Sequence, residues 1–222
     1  MAQKVFITIA FISSSLLSVS QINDAGLWVY FGLEKDLPDK FTTGIEVETR
    51  FNENISELGT TFAQPYISKE WSKALSTTLA YRAIARRQAD NTYQDRDRFN
   101  LDFKYKKKVK EVGVQYRLRV QRALGILDSE RAVDADFGFR HRLKFDYGLS
   151  KKWKLGLAGE SFYALQREEE FLHTDIRIKL SARYRVKKRQ YLGLGYIVQQ
   201  EYNRTNPRRE FIITVGYTLM IK

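Results

Sequence analysis

Alternation of apolar and polar side chains along most of the chain is the feature that most limits its fold. Roughly ten stretches of about ten residues each show it, for example residues 99–106, 140–147 and 175–180. Successive side chains of a β-strand point to opposite faces, so each stretch predicts a strand with one apolar and one charged face. Repeated strands of this kind are typical of an antiparallel transmembrane β-barrel, with lipid outside and a polar lumen.

The first twenty residues have the pattern of a signal peptide. Lys4 supplies a positive charge, residues 5–17 form an apolar stretch, and residues 18–20 offer small side chains for cleavage. The stretch is shorter than the roughly 20 residues that a spanning helix needs; a buried N-terminal helix is the alternative. We therefore expect a cleaved signal peptide at residues 1–20 and an exported barrel at residues 21–222.

Eleven segments are strand candidates, and the connections between them alternate between short and long. The short ones lie near residues 36–39, 70–72, 107–108, 150–152 and 187–189; the long polar ones cover about 52–58, 87–97, 122–135, 166–172 and 201–209. Outer-membrane barrels have short periplasmic turns and longer external loops. We expect 10–12 strands, near residues 25–35, 41–51, 59–69, 73–86, 98–106, 109–121, 136–149, 153–165, 173–186, 190–200 and 210–221.

The directions of the two end strands conflict with an even barrel. The last candidate follows a long loop and the first precedes a short turn, so both would run toward the periplasm. That arrangement gives an odd count, whereas bacterial single-chain barrels have even counts. Either a strand is split or missed, or residues 21–35 do something other than span.

The charge balance of the chain bears on its partners. The chain has 38 Lys and Arg against 26 Asp and Glu, a net charge of +12 at pH 7. In a cytosolic protein this surplus would suggest nucleic acid, but export and alternation argue against that partner. They favour outer-membrane lipid, lipopolysaccharide or a small anionic solute. Because cysteine is absent, a lipid anchor, a disulfide and a thiolate metal site are excluded; without metal-ligand spacing elsewhere, we predict no metal and no cofactor.

Six aromatic residues beside the short turns predict a girdle at the headgroup level of a membrane. They are Tyr105, Tyr147, Tyr184, Trp71, Trp153 and Tyr191. The alternative is a secreted soluble barrel that binds a ligand, with the apolar face turned inward. Strands of about ten residues rather than five or six, the signal peptide and the two classes of connection favour the membrane barrel.

A resemblance to a known family rests on three elements of the sequence. They are residues 27–33, residues 140–145, and the pair 193–196 and 215–217. They resemble uncharacterised outer-membrane β-barrels of Bacteroidota, annotated only as a domain of unknown function. The resemblance implies the outer membrane of a Gram-negative bacterium and transfers no activity. Residues 214–221 are similar to the assembly signal that the outer-membrane insertion machinery reads, although the chain ends in Ile221 and Lys222 rather than an aromatic residue.

The polar faces of the strands would crowd the lumen with charge. Inward positions include ten basic residues: Arg82, Arg98, Arg117, Arg119, Arg140, Arg142, Lys144, Arg177, Lys179 and Arg183. At 10–12 strands, long side chains and their ion pairs would nearly fill the bore, which favours an envelope-structural barrel. The surplus of cations instead favours a narrow anion-preferring pore or a site for an acidic solute. Both interpretations stay open at this point.

An enzyme is the alternative function. His141 lies on the apolar register, and a three-residue turn at 150–152 places it opposite Ser161 on the next strand. A Ser activated by a His is the core of acyl-ester hydrolysis, and barrels that hydrolyse phospholipid or lipopolysaccharide acyl chains resemble this placement on the outer wall. Ser161 and His141 are thus candidate catalytic residues. A register error of one residue would separate them, and that face has no clear orienting carboxylate.

Overall fold

The structure, a computed structural model, describes residues 22–124, 137–165, 171–204 and 206–221. It forms one closed barrel of eleven strands, which confirms the expected β-barrel. The strands are β1 (Ile22–Leu37), β2 (Phe41–Asn52), β3 (Glu57–Glu70), β4 (Leu75–Arg87), β5 (Tyr93–Val109), β6 (Val112–Leu124), β7 (Phe137–Gly148), β8 (Trp153–Leu165), β9 (Phe171–Lys187), β10 (Gln190–Glu201) and β11 (Arg208–Ile221). A short 3-10 turn at Pro38–Lys40 joins β1 to β2. In the described part of the chain, no helix is long and apolar enough to cross a membrane.

A parallel pair of strands closes the barrel and explains the odd count. Strands consecutive in the chain pair antiparallel, whereas β1 and β11 run in the same direction, from the pair Ile22–Arg208 to the pair Lys35–Ile221. Both end strands therefore run toward the short turns, as the sequence indicates, and no strand is missing. Residues 22–35 are part of the barrel wall. Each described strand therefore pairs with a neighbour on both sides, and the sheet has no edge strand within the described residues.

Two strand boundaries differ from the prediction. β5 begins at Tyr93 rather than near residue 98, and it continues through Val109, so the turn to β6 lies at residues 110–111 rather than 107–108. Charged residues in these segments look like loop in sequence, but their backbones still pair along the ladder. The predicted signal peptide lies outside the described residues, as does much of the predicted loops at 122–135 and 166–172.

The two rims of the barrel differ in their connections. We call the rim with the turns at residues 38–40, 71–74, 110–111, 149–152 and 188–189 the short-turn end, and the opposite rim the long-loop end.

Apolar side chains face outward and charged side chains face inward. Leu79, Ile178 and Leu194 on the outer face each have more than half of their surface exposed. Inside, Trp28, Ile197 and Ile212 form a small apolar cluster. A soluble barrel requires the opposite arrangement, because its apolar face must be buried from water. The structure therefore argues against the secreted soluble alternative.

The predicted aromatic girdle needs one correction. Trp71, Trp153, Tyr105 and Tyr147 are exposed at the short-turn end, and Tyr184 packs on Trp153 with ring centroids 4.8 Å apart. Tyr191 instead faces the lumen, where the Arg183 guanidinium lies 4.7 Å from its ring centroid. The reason is alternation itself: the next residue, Leu192, is exposed on the outer face, so Tyr191 must point inward.

Candidate functional site

All ten basic residues predicted for the lumen lie on the inward register. The register pairs six of them with one another across neighbouring strands: Arg82 with Arg98, Arg117 with Arg142, and Arg119 with Arg140. The other four, Lys144, Arg177, Lys179 and Arg183, occupy inward positions of β7 and β9. Like charges directly opposite each other are destabilising, so the lumen needs anionic partners.

Asp102 and Glu160 supply those partners at mid-height. Arg119 donates from Nε and Nη2 to the Asp102 carboxylate at 2.6 and 2.9 Å. Arg140 donates from Nε to Glu160 Oε1 at 3.0 Å, and Arg117 donates to the same oxygen. We call these five residues the ion-pair layer. Because none is more than 9 % exposed, side chains rather than water fill the lumen at this level.

Beyond the ion-pair layer, a cavity of about 880 Å³ opens toward the long-loop end. Ten arginines and five carboxylates line this vestibule, and among the described residues no lysine does. The surplus of guanidinium groups makes the vestibule cationic. Arginine presents a planar fork of donors that matches carboxylate and phosphate oxygens, which a lysine ammonium does not.

Aromatic rings hold four of the vestibule arginines in place. The stacked order is Arg82, Phe62, Arg50, Trp28, Arg177, Phe162 and Arg140, with 3.6–5.2 Å from each guanidinium carbon to the neighbouring ring centroid. Cation–π attraction operates within about 6 Å. A stacked guanidinium keeps its N–H edge available for hydrogen bonds in its own plane. This guanidinium–aromatic ladder therefore presents donors in fixed directions.

Neutral amides, rather than carboxylates, bind two of the ladder arginines. Arg82 Nε donates to Gln64 Oε1 at 2.8 Å, and Arg177 donates to Gln199 Oε1 at 2.9 and 2.5 Å. An amide oxygen accepts a hydrogen bond without cancelling the charge. Sequence reasoning missed Gln64, Gln199 and Trp28 as lumen residues, although the same alternation that placed the arginines also points these side chains inward.

The short-turn end has a different chemistry. A cavity of about 550 Å³ there is lined by five lysines: Lys73, Lys106, Lys107, Lys108 and Lys154. Lys106 pairs with Glu70 at 2.5 Å, and both side chains are nearly half exposed. Exposed ion pairs of this kind contribute little to stability. Arginines thus line the vestibule, and lysines line the cavity at the short-turn end.

On the outer face, the register pairs His141 directly with Ser161 across β7 and β8. This is the register that the hydrolase hypothesis needs. No hydrogen bond among the described residues joins the two side chains; instead, Tyr116 Oη lies 2.6 Å from His141 Nδ1. In acyl hydrolases a carboxylate orients the ring at that nitrogen. The catalytic roles of Ser161 and His141 remain predictions.

Both histidines of the chain belong to a row of aromatic rings on the outer face. Tyr163 lies 5.8 Å from His141 and 5.1 Å from His173, and His173 stacks on Tyr202 at 5.1 Å between centroids. Among the described residues, no carboxylate makes a hydrogen bond or ion pair with either histidine. Across the described residues, no group of three or more His, Cys, Asp or Glu is placed to hold a metal ion.

Comparison with known protein families gives a match over most of the chain. Residues 25–210 match a family described as a protein of unknown function, DUF2490. The chain belongs to the DUF2490 family. The match confirms the domain of unknown function that the sequence resemblance implies, and it transfers no catalytic residue.

The DUF2490 barrel is also similar to a solved structure described as a bacterial polysaccharide outer membrane secretin. The TM-score is 0.51 at 11 % sequence identity, and the match covers 82 % of this chain and 63 % of that chain. The chain therefore spans less than two thirds of the length of that structure, and the likeness shows the barrel fold alone. A search of curated proteins found no match.

Proposed function

We propose that this DUF2490 chain is an integral outer-membrane β-barrel of a Gram-negative bacterium whose vestibule binds a small anionic solute. The observation that carries the proposal is the arginine-lined vestibule, with twice as many arginines as carboxylates. Guanidinium groups that aromatic rings hold in place can donate paired hydrogen bonds to the oxygens of a carboxylate or phosphate.

The outer face and the strand lengths support insertion into a membrane. The strands are 12–17 residues long, and a tilted transmembrane β-strand needs about 9–11. The exposed apolar side chains would contact lipid, and the short-turn end would face the periplasm. The Bacteroidota origin, signal-peptide cleavage, contact with lipopolysaccharide and recognition of residues 214–221 by the insertion machinery stay predictions.

The ion-pair layer favours a closed binding barrel over a pore. A conducting path would need water at mid-height, where Asp102, Arg119 and Glu160 are buried. Arg119 binds Asp102, and Arg117 and Arg140 bind Glu160, so each buried carboxylate of the layer has an arginine partner. An anion entering from the long-loop end would therefore stop in the vestibule.

Anion binding in zwitterionic detergent micelles tests the proposal. We expect citrate, glucuronate and glucose 6-phosphate to release or absorb heat in isothermal titration calorimetry at low salt. An Arg50→Gln, Arg177→Gln double variant should bind them at least about tenfold more weakly, because two charge-assisted contacts are lost. The matched control is Arg122→Gln, which removes an exposed arginine from the outer face. Absence of binding to all three anions would overturn the proposal.

A second candidate function is a lipid acyl hydrolase, favoured by the direct pairing of His141 with Ser161. The variants Ser161→Ala and His141→Ala should each abolish ester hydrolysis of phospholipid while the barrel keeps its heat-modifiable gel migration. Tyr116→Phe separates the catalytic role from a structural one, because it removes only the hydroxyl beside His141 Nδ1. Activity retained in either alanine variant would remove this function.

A further inference from the structure

Arg82 and Arg98 form a pair of opposed cations in the vestibule wall. They lie directly opposite each other on β4 and β5, which places their Cβ atoms about 4.5–5.5 Å apart on the same face. Both line the vestibule. The two positive charges must therefore share one small region of the lumen.

Neither arginine of this pair makes an ion pair with a carboxylate of the described residues, although Glu46 occupies an inward position of β2 opposite Gln64. Arg82 donates from Nε to the neutral amide of Gln64. Arg98 makes no hydrogen bond or ion pair with any residue that the structure describes, and its Nε is buried without a partner. Arg98 is half-buried, and a cation that has lost part of its hydration without gaining an ion pair is destabilising.

Another pair of opposed arginines in this barrel has carboxylate partners that offset its positive charges. Arg119 and Arg140 also face each other across two strands. Each of them has its own carboxylate, Asp102 for Arg119 and Glu160 for Arg140. The Arg82–Arg98 pair differs because neither of its members makes such an ion pair with a carboxylate of the described residues.

We propose that Arg82 and Arg98 clamp the dianionic phosphate of a phosphate monoester that enters from the long-loop end. This inference rests on the proposed function, because it names the solute class of the same vestibule. Two opposed cations that make no ion pair match a group with a charge near −2, as a phosphate monoester has at pH 7; a carboxylate carries only one negative charge.

The position of Arg82 suits this role. Its guanidinium carbon lies 3.6 Å from the centroid of Phe62, and the side chain is 7 % exposed. Stacking and the bond to Gln64 hold the group in one orientation before any ligand arrives. Such preorganisation reduces the entropy cost of binding.

Calorimetry with matched sugars tests the clamp. Glucose 6-phosphate, glucuronate and glucose share a sugar ring and differ in charge. We expect glucose 6-phosphate to bind most tightly and glucose not to bind. Arg98→Gln should weaken glucose 6-phosphate by at least about tenfold, because one charge-assisted contact is lost, and should change glucuronate less. Arg122→Gln is the control and should change neither.

Stability without ligand gives a second readout. Because Arg98 is a half-buried cation whose Nε has no hydrogen-bond partner among the described residues, we expect Arg98→Gln to unfold at a higher urea concentration than the wild-type barrel. Glucose 6-phosphate should raise the midpoint of the wild type more than that of the variant. A variant that unfolds earlier, and still binds glucose 6-phosphate as tightly, would overturn the clamp.

The outcomes separate the two proposals. Equal binding of glucuronate and glucose 6-phosphate, or an unchanged affinity in Arg98→Gln, would overturn the clamp and leave the anionic vestibule standing. If none of the anions binds, the proposed function itself fails. Lipid A phosphates added to the micelles should not displace glucose 6-phosphate; displacement would overturn a free solute as the source of the phosphate.

Discussion

Glu160 is the residue on which the charge balance of the lumen depends most directly. One of its carboxylate oxygens accepts hydrogen bonds from both Arg117 and Arg140, and the side chain is 8 % exposed. A buried ion pair adds little compared with a well-packed apolar group, but removing one partner leaves the others as uncompensated charges. The consequence of losing Glu160 should therefore exceed the worth of any single bond it makes.

We expect Glu160→Gln to lower the free energy of unfolding by about 3–5 kcal/mol, because two buried arginines lose their counter-ion. The measurement is urea unfolding in micelles, followed by tryptophan fluorescence. Glu57→Gln is the matched control: Glu57 pairs with Arg87 at 3.0 Å and is 39 % exposed, so its loss should cost about 1 kcal/mol or less. Equal costs for the two variants would contradict a buried ion-pair layer.

At the scale of the strands, Tyr30 of β1 covers the parallel pairing of β1 with β11, which we call the parallel seam, and reaches β10. Its ring lies over Gly216 of β11 and its hydroxyl reaches Gly193 of β10. These glycines face each other across β10 and β11, and a Cβ at either would lie within 2.3 Å of a Tyr30 atom. The two missing side chains create the space that lets one aromatic ring cover the seam from inside.

Gly216→Ala should therefore destabilise the barrel by about 1–3 kcal/mol, because the added methyl group overpacks the site. Gly159→Ala is the control, since a Cβ there meets nothing within 4 Å. Urea unfolding measures both. In the double variant Tyr30→Ala, Gly216→Ala, the cost of the added methyl should largely disappear, which a double-mutant cycle would show as coupling. Additive costs would mean that Tyr30 does not pack on Gly216.

Disulfide crosslinking can test the parallel register of β1 and β11. Val29 pairs with Val215 across β1 and β11, and the natural chain has no cysteine. The double variant Val29→Cys, Val215→Cys should form an intramolecular disulfide on mild oxidation, because paired strand positions lie within disulfide reach. In the control pair Val29→Cys, Ile213→Cys, the second position is displaced by two residues and should crosslink poorly. Preferential crosslinking of the control would contradict the parallel register.

The whole barrel is polarised along its axis, and many of its inward side chains are buried at mid-height. Arginines line the vestibule at the long-loop end, lysines line the cavity at the short-turn end, and the ion-pair layer lies between them. Eleven strands enclose a bore between that of eight-stranded barrels, which side chains fill, and that of larger pores. Long side chains fill part of this bore, and the arginines of β6 and β7 pair with carboxylates on β5 and β8, one or two strands away.

In a planar lipid bilayer, we expect the folded barrel to give no stable single-channel steps, because the ion-pair layer and inward side chains of other strands, such as Phe62 and Thr214, are buried. The measurement is current at fixed voltage in a salt gradient, with insertion checked by heat-modifiable migration of the same sample. Stable, anion-selective steps would contradict the closed lumen and would favour the anion-preferring pore.

Local pattern accounts for most of what the sequence by itself determined. The strands, their two faces, the inward position of the ten basic residues and the pairing of His141 with Ser161 follow from alternation and turn length, which act over neighbouring residues. Only the tertiary structure decided the parallel closure of β1 on β11 and the partner of each lumen charge. Trp28 and Arg177 are far apart in the chain, yet they stack across the bore. Whether a charge is paired depends on such distances through the lumen, so Arg98 could be recognised as unpaired only after the barrel had closed.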